Sequence, residues 1–187
     1  MNVFYHIREL LVHPHEHWIT VATEKKSRNR IFREFVVPLL CMVAICTLLG
    51  AVLFASRFDL SVAFVLRKIS LLLCTLSTGL YLSSYLINAL IPITVRNLQG
   101  IFALLAYSSG ITCLLIAVVE LFPFPYLKEM IVLAFYSVYL YWRGITEVLN
   151  IAESKRNGFL MLSFITVAAV YLFLFFFFGK ILEALLP

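Results

Sequence analysis

The stretch FVVPLLCMVAICTLLGAVLFA, Phe35 to Ala55, decides the fold. It is twenty-one residues without a charge, opened by Arg33 and Glu34. A helix needs about 20 apolar residues to cross about 30 Å of hydrocarbon, so this run is long enough to span a bilayer. Working outward, three more runs of that kind follow. Ile69–Ile93 is preceded by Arg67 and Lys68 and ends at Pro92 and Thr94, with the tight turn Val95-Arg96-Asn97 after it. Ile101–Phe122 ends where Pro123 and Pro125 break the chain. Phe159–Phe178 ends at Gly179 and Lys180. A fifth, lying fourth in order, is weaker. Met130–Trp142 is short, and reaches crossing length only by continuing through Arg143 and Glu147 to Ile151. The expectation is therefore an all-α polytopic membrane bundle of about five transmembrane helices.

Composition agrees. Of 187 residues, 63% are hydrophobic and 13% charged, and the mean hydropathy is +0.99. Soluble domains carry about 25% charged residues. The net charge of +5 is modest; it suits loops facing anionic lipid rather than nucleic acid. No cleavable leader is read at the start, because Arg8 and Glu9 interrupt what would be its apolar region. With the N-terminus inside, the inner segments hold ten basic residues: Arg8, Lys25, Lys26, Arg28, Arg30, Arg33, Arg96, Arg143, Lys155 and Arg156. The outer segments hold five: Arg57, Arg67, Lys68, Lys128 and Lys180. That excess predicts a multi-pass protein with its N-terminus cytoplasmic and its C-terminus outside.

Residues 1–30 form a cytoplasmic amphipathic segment ahead of a transmembrane domain over 31–187. Val3, Phe4, Ile7, Leu10 and Leu11 share one helical face, and Pro14 suits the first turn of a second helix striped with Trp18, Val21 and Ala22. Both pieces read as surface helices, with Trp18 as an interfacial anchor. Residues Leu60–Leu66 read as a third surface helix on the outer side.

Few residues suggest chemistry. His13, His15 and His17 stand near Glu16, but Pro14 lies between and no further His or Cys is close in sequence, so no metal site is expected. Cys41, Cys46, Cys74 and Cys113 lie in apolar runs without a CxxC pair and read as small hydrophobes. Tyr139, Arg143 and Glu147 recur at i, i+4 and i+8, and so line one face of the fourth helix. That face reads as a polar groove for a headgroup, ion or partner, or as an interfacial Arg143–Glu147 pair beside Tyr139, Tyr141 and the anchor Trp142. Asn88 is placed to hydrogen-bond across the bundle. Gly79 with Ser83, and Ala106 with Gly110, have the spacing of closely packed helices. Phosphate loops, nucleophile elbows, HExxH and paired carboxylates are absent from the sequence, so no enzyme and no cofactor is expected.

Two segments carry a resemblance. Leu10-x-x-x-Pro14-x-x-x-Trp18-x-x-Val21-Ala22-x-Glu24 stands ahead of a first span containing Pro38. Tyr136-x-x-Tyr139-x-Tyr141-x-x-Gly144 is followed by Glu153, Lys155, Arg156 and Gly158, then a last apolar span. In order and spacing these resemble the Yip (Ypt/Rab-interacting protein) family in its short prokaryotic form. The resemblance implies five spans and no catalytic residues. Eukaryotic members bind Rab-type GTPases through a longer N-terminal region with an acidic Leu-Tyr-Gly-Pro motif. That motif is missing here, so a Rab-type partner is not expected. The leading expectation is a non-enzymatic scaffold in the lipid bilayer that organises lipid or recruits protein partners through its N-terminal surface helices and the Arg143–Glu147 region. The second is a small transporter, channel or lipid-handling protein using the polar face of the fourth helix.

Overall fold

Proline, glycine and apolar run length explain where the chain turns. The computed structural model describes residues 3–58, 61–92, 96–122 and 132–185, and every regular element among them is helical. Helix α1 (Val3–Val12) passes directly into α2 (Pro14–Glu24), with Pro14 in the first turn. Pro14 lacks an amide hydrogen that would have no partner there in any case. Lys25, at φ 41°, stops α2. The first long helix runs without a break from α3 (Arg28–Ile31) through a π-helical turn (Phe32–Val36) to α4 (Val37–Phe58). Pro38 accounts for that turn. It cannot donate to the carbonyl four residues back, and widening the preceding turn relieves the clash.

Helix α5 is Val62–Leu90, α6 is Leu98–Leu121, α7 is Phe135–Leu149 and α8 is Glu153–Leu185. Four helices are long and apolar enough to cross a membrane: Arg28–Phe54, Val62–Leu90, Leu98–Leu121 and Glu153–Leu185. The expected surface helix Leu60–Leu66 is not separate. Ser61 accepts from the Phe64 amide at 3.2 Å as an N-cap, and the chain enters α5 at Val62. Helix α7 has 15 residues, about 22 Å at 1.5 Å each, and falls short of a span by itself. The beginning of the expected Met130–Ile151 run, and Pro123 and Pro125, lie outside the described residues.

Contacts fix which ends lie together. Arg28 donates to the Tyr85 hydroxyl at 2.9 Å, joining the start of α3 to the finish of α5. Gln99, at the start of α6, donates to the Lys25 carbonyl at 2.7 Å. At the other end Lys68 of α5 meets Glu120 of α6 at 2.6 Å. Helix α7 runs back antiparallel along α6. Its Ser137 meets Thr112 at 2.8 Å, while Leu149 lies beside Gly100. Helix α8 therefore begins at the same end as α3 and α6, and there Trp142 of α7 donates to Asn157 of α8 at 3.0 Å. We call this the near end.

Close approach depends on small residues. A Cβ at Gly79 would meet the Tyr171 ring at 2.8 Å, and one at Gly110 the Phe35 ring at 2.8 Å. Both glycines belong to the small-residue pairs expected from sequence. Helices α1 and α2 share this core. Ile7, Leu10, Trp18 and Val21 pack in one cluster with Phe35, Ile101, Leu104 and Ile145.

Candidate functional site

The near end gathers most of the chain's polar chemistry, and α2 organises it. Its buried positions His17, Trp18 and Val21 face α6 and α7. Trp18 is fully buried, its ring lying against Gly144 and 6.4 Å from the Tyr107 ring. The expected surface anchor is thus a core residue. Gly144 has no side chain, so α7 leaves a slot the width of an indole. The other expected anchor, Trp142, is half-buried and holds α8: the Arg156 guanidinium stacks 3.7 Å from its ring centroid.

Beside Trp18 lies an aromatic cluster that sequence reading missed. The rings of His6 and His17 stand 5.1 Å apart, edge to face, and both lie within 5.5 Å of the Tyr107 ring. His17, in a segment expected to lie at the membrane surface, is 4% exposed and His6 is 5% exposed. Neither His6 Nδ1 nor His17 Nε2 has a hydrogen-bond partner among the described residues. Burial pushes both imidazoles down to about 4; Lys26 adds to this at His6, and His6 adds to it at His17. Both are therefore neutral at pH 7.

The unfolded chain, with histidines near 6.5, binds more protons than the folded one between about pH 4 and 6.5. The attachment of α1 and α2 is fully present above that window and weakens as pH falls through it. In a Trp142→Phe background, Trp18 emission should shift to the red over this range. In His6→Phe/His17→Phe the shift should be absent; an unchanged profile in the double variant would remove the histidines from the account.

Above the cluster is a polar cavity of about 290 Å3. Glu24, Lys26, Asn97, Gln99, Glu147 and Asn150 are among its lining residues, and Tyr107 reaches it from below. Lys26 pairs with Glu24 at 2.7 Å, and Asn97 caps α6 by accepting from Gly100 at 2.9 Å. Lys25 (φ 41°) and Asn150 (φ 53°) are the only non-glycine residues with positive φ among those described, and both line this cavity. They are the αL stops of α2 and α7, so two helix ends converge on it. Such a wall, of both charge signs with amides between, can hold a polar headgroup or the polar edge of a partner. No group of three metal-ligating side chains occurs among the described residues.

Of the sequence-predicted polar residues, the structure brings only Glu147 to this cavity. Glu147 pairs with His15 at 3.7 Å, not with Arg143. Tyr139 and Arg143 are exposed. The inward face of α7 is taken by Leu140, Tyr141, Gly144, Ile145, Val148 and Leu149, which leaves Tyr139 and Arg143 on the far side. Tyr139 stacks loosely between Tyr136 and Trp142, at 5.5 and 6.3 Å. Asn88 is half-buried near the near end of α5, its Oδ1 without a partner among the described residues, and lines neither this cavity nor the one inside the bundle.

A family model described as Yip1 domain matches residues 8–177. No curated protein and no solved structure matches the chain. The matched span takes in the second half of α1, all of the helices from α2 to α7 and most of α8.

Proposed function

The chain belongs to the Yip1 domain family and is a membrane protein, and from that premise we propose that it is a non-enzymatic scaffold of the inner membrane. Its recruiting surface is the outer side of α1 and α2. One observation carries this reading. One face of these helices is locked into the core through Leu10 and Trp18, while Phe4, Tyr5, Leu11 and Val12 stand 50–65% exposed on the other. A rigidly held apolar face is suited to a protein partner or to the headgroup layer.

The orientation accompanies the same reading. Arg8, Lys25, Lys26, Arg28, Arg30 and Arg33 lie on the elements of the near end, together with Arg96, Lys155 and Arg156. By the positive-inside rule this end is cytoplasmic. The return of α7 along α6 supports reading it as the inner part of a fifth crossing, with the C-terminus outside. A Rab-type GTPase remains an unsuitable partner, since basic residues stand where the acidic motif would be. A transport path along α7 draws no support from Tyr139 and Arg143, which lie on the side away from the core.

The test is photocrosslinking in native membranes from positions 4 and 11. The expected result is a discrete protein adduct that disappears in Tyr5→Ser/Val12→Ser while thermal stability is unchanged. Adducts with lipid alone, or a protein adduct indifferent to the double variant, would refute the scaffold reading.

A further inference from the structure

Among the described residues, four with charged side chains line the polar cavity at the near end: Glu24, Lys25, Lys26 and Glu147. Glu24 and Lys26 neutralise each other at 2.7 Å. That leaves Glu147 and Lys25, one charge of each sign. Lys25 is exposed and makes no ion pair with a described residue. The Glu147 side chain is one-third exposed, and its Oε1 lies 3.7 Å from His15 Nδ1, beyond hydrogen-bond distance. Both charged groups therefore keep surface open to an occupant, unlike the sealed nitrogens of His6 and His17. A cavity with one unspent carboxylate and one unspent ammonium is matched by a zwitterion.

The backbone narrows the cation. Helices α2 and α7 both end here, which brings two negative dipole ends to the cavity. The Thr146 carbonyl takes the Asn150 amide at 3.1 Å, and the carbonyls after it have no helical donor. Gln99 donates its Nε2 to the Lys25 carbonyl, which leaves its Oε1 to accept. The one positive dipole end present, the start of α6, is covered by Asn97. Such a wall suits an ammonium that carries N–H groups. A quaternary ammonium has none and needs aromatic faces, and Tyr107, the one aromatic residue among the described lining, is 2% exposed. Size and place narrow the rest. About 290 Å3 is at the lower bound of small-molecule sites. Glu147 follows the exposed Arg143 by one helical turn and Trp142 by little more, residues suited to the membrane boundary where headgroups lie. We propose that this cavity binds a phosphoethanolamine group, its ammonium on Glu147 and the end of α7, its phosphate on Lys25. The site is separate from the outer face of α1 and α2 and stands or falls apart from it.

The test is native mass spectrometry of the full chain in detergent, with phosphatidylethanolamine, phosphatidylcholine or phosphatidylglycerol of identical acyl chains added in turn. Phosphatidylethanolamine should bind at least about tenfold more than either of the others, the weight of one hydrogen bond to a charged group. Glu147→Gln should remove that preference and leave the other two lipids unchanged. His15→Ala takes away the contact from α2 but keeps the carboxylate, and the preference should persist. Its loss in His15→Ala would assign Glu147 to holding α2 on α7 and overturn the proposal. Ala22→Leu fills the cavity from α2 and should also remove the preference; it decides alone if Glu147→Gln does not fold. Excess glycerophosphoethanolamine distinguishes the sources of the group. Displacement of the lipid means that the soluble form enters, and retention means that the lipid is the occupant; either upholds the site. Equal binding of the three lipids, or a preference unchanged in Glu147→Gln, would overturn it.

Discussion

Gly50→Val should separate α4 from α6 and lower the thermal stability of the detergent-solubilised protein by about 3 kcal/mol or more, at or beyond the upper range for overpacking. A Cβ at residue 50 would sit on the Glu120 carbonyl oxygen, with the Leu121 carbonyl oxygen at 3.0 Å. These are backbone atoms, so no side-chain rotation makes room. The damage spreads because Glu120 also holds Lys68 of α5, and three helices meet at this point. Gly179→Ala is the control. A Cβ there meets nothing within 4 Å, and exchanging a helical glycine for alanine gains about 0.5–1 kcal/mol. Equal melting of the two variants would show that α4 and α6 do not approach as described.

Trp18→Ala should free α1 and α2 from the bundle. Removing a fully buried indole costs about 3–5 kcal/mol, and α1 and α2 have few other anchors of that size. Tryptic cleavage at Lys25 and Lys26 should accelerate in inside-out vesicles, while cleavage-resistant α6 and α8 fragments persist. Gly144→Leu should reproduce the effect from the opposite wall, because its Cβ would lie 2.8 Å from the Trp18 ring. If Trp18→Ala left cleavage at wild-type rates, Trp18 would belong on the membrane surface after all.

Run length made four long helices legible in the sequence, since the need for about 20 apolar residues is a one-dimensional constraint. Their true ends were less so. Ser61 reads as a loop residue until it caps α5, and α8 begins at Glu153 among charges that a hydropathy reading discards. The site was less legible still. Trp18 fits the interfacial preference of tryptophan, and only the missing side chain at Gly144, more than a hundred residues on, turns it inward. The i, i+4 spacing of Arg143 and Glu147 suggests an ion pair. Yet α1–α2 brings His15 to Glu147, and that contact has no signature in the sequence of α7. His6 stands alone in an apolar stretch, and nothing local marks it as half of a buried pair.

The central claim is that α1, α2 and the near end of the bundle face the cytoplasm and that the chain crosses the membrane an odd number of times. Cysteine labelling tests it most directly. With Cys41, Cys46, Cys74 and Cys113 replaced by alanine, single cysteines are placed at Phe4→Cys and Lys180→Cys and probed in intact cells with a membrane-impermeant maleimide. The account predicts that Lys180→Cys is labelled in intact cells and Phe4→Cys only after the membrane is opened. Labelling of both positions from the same side would contradict it.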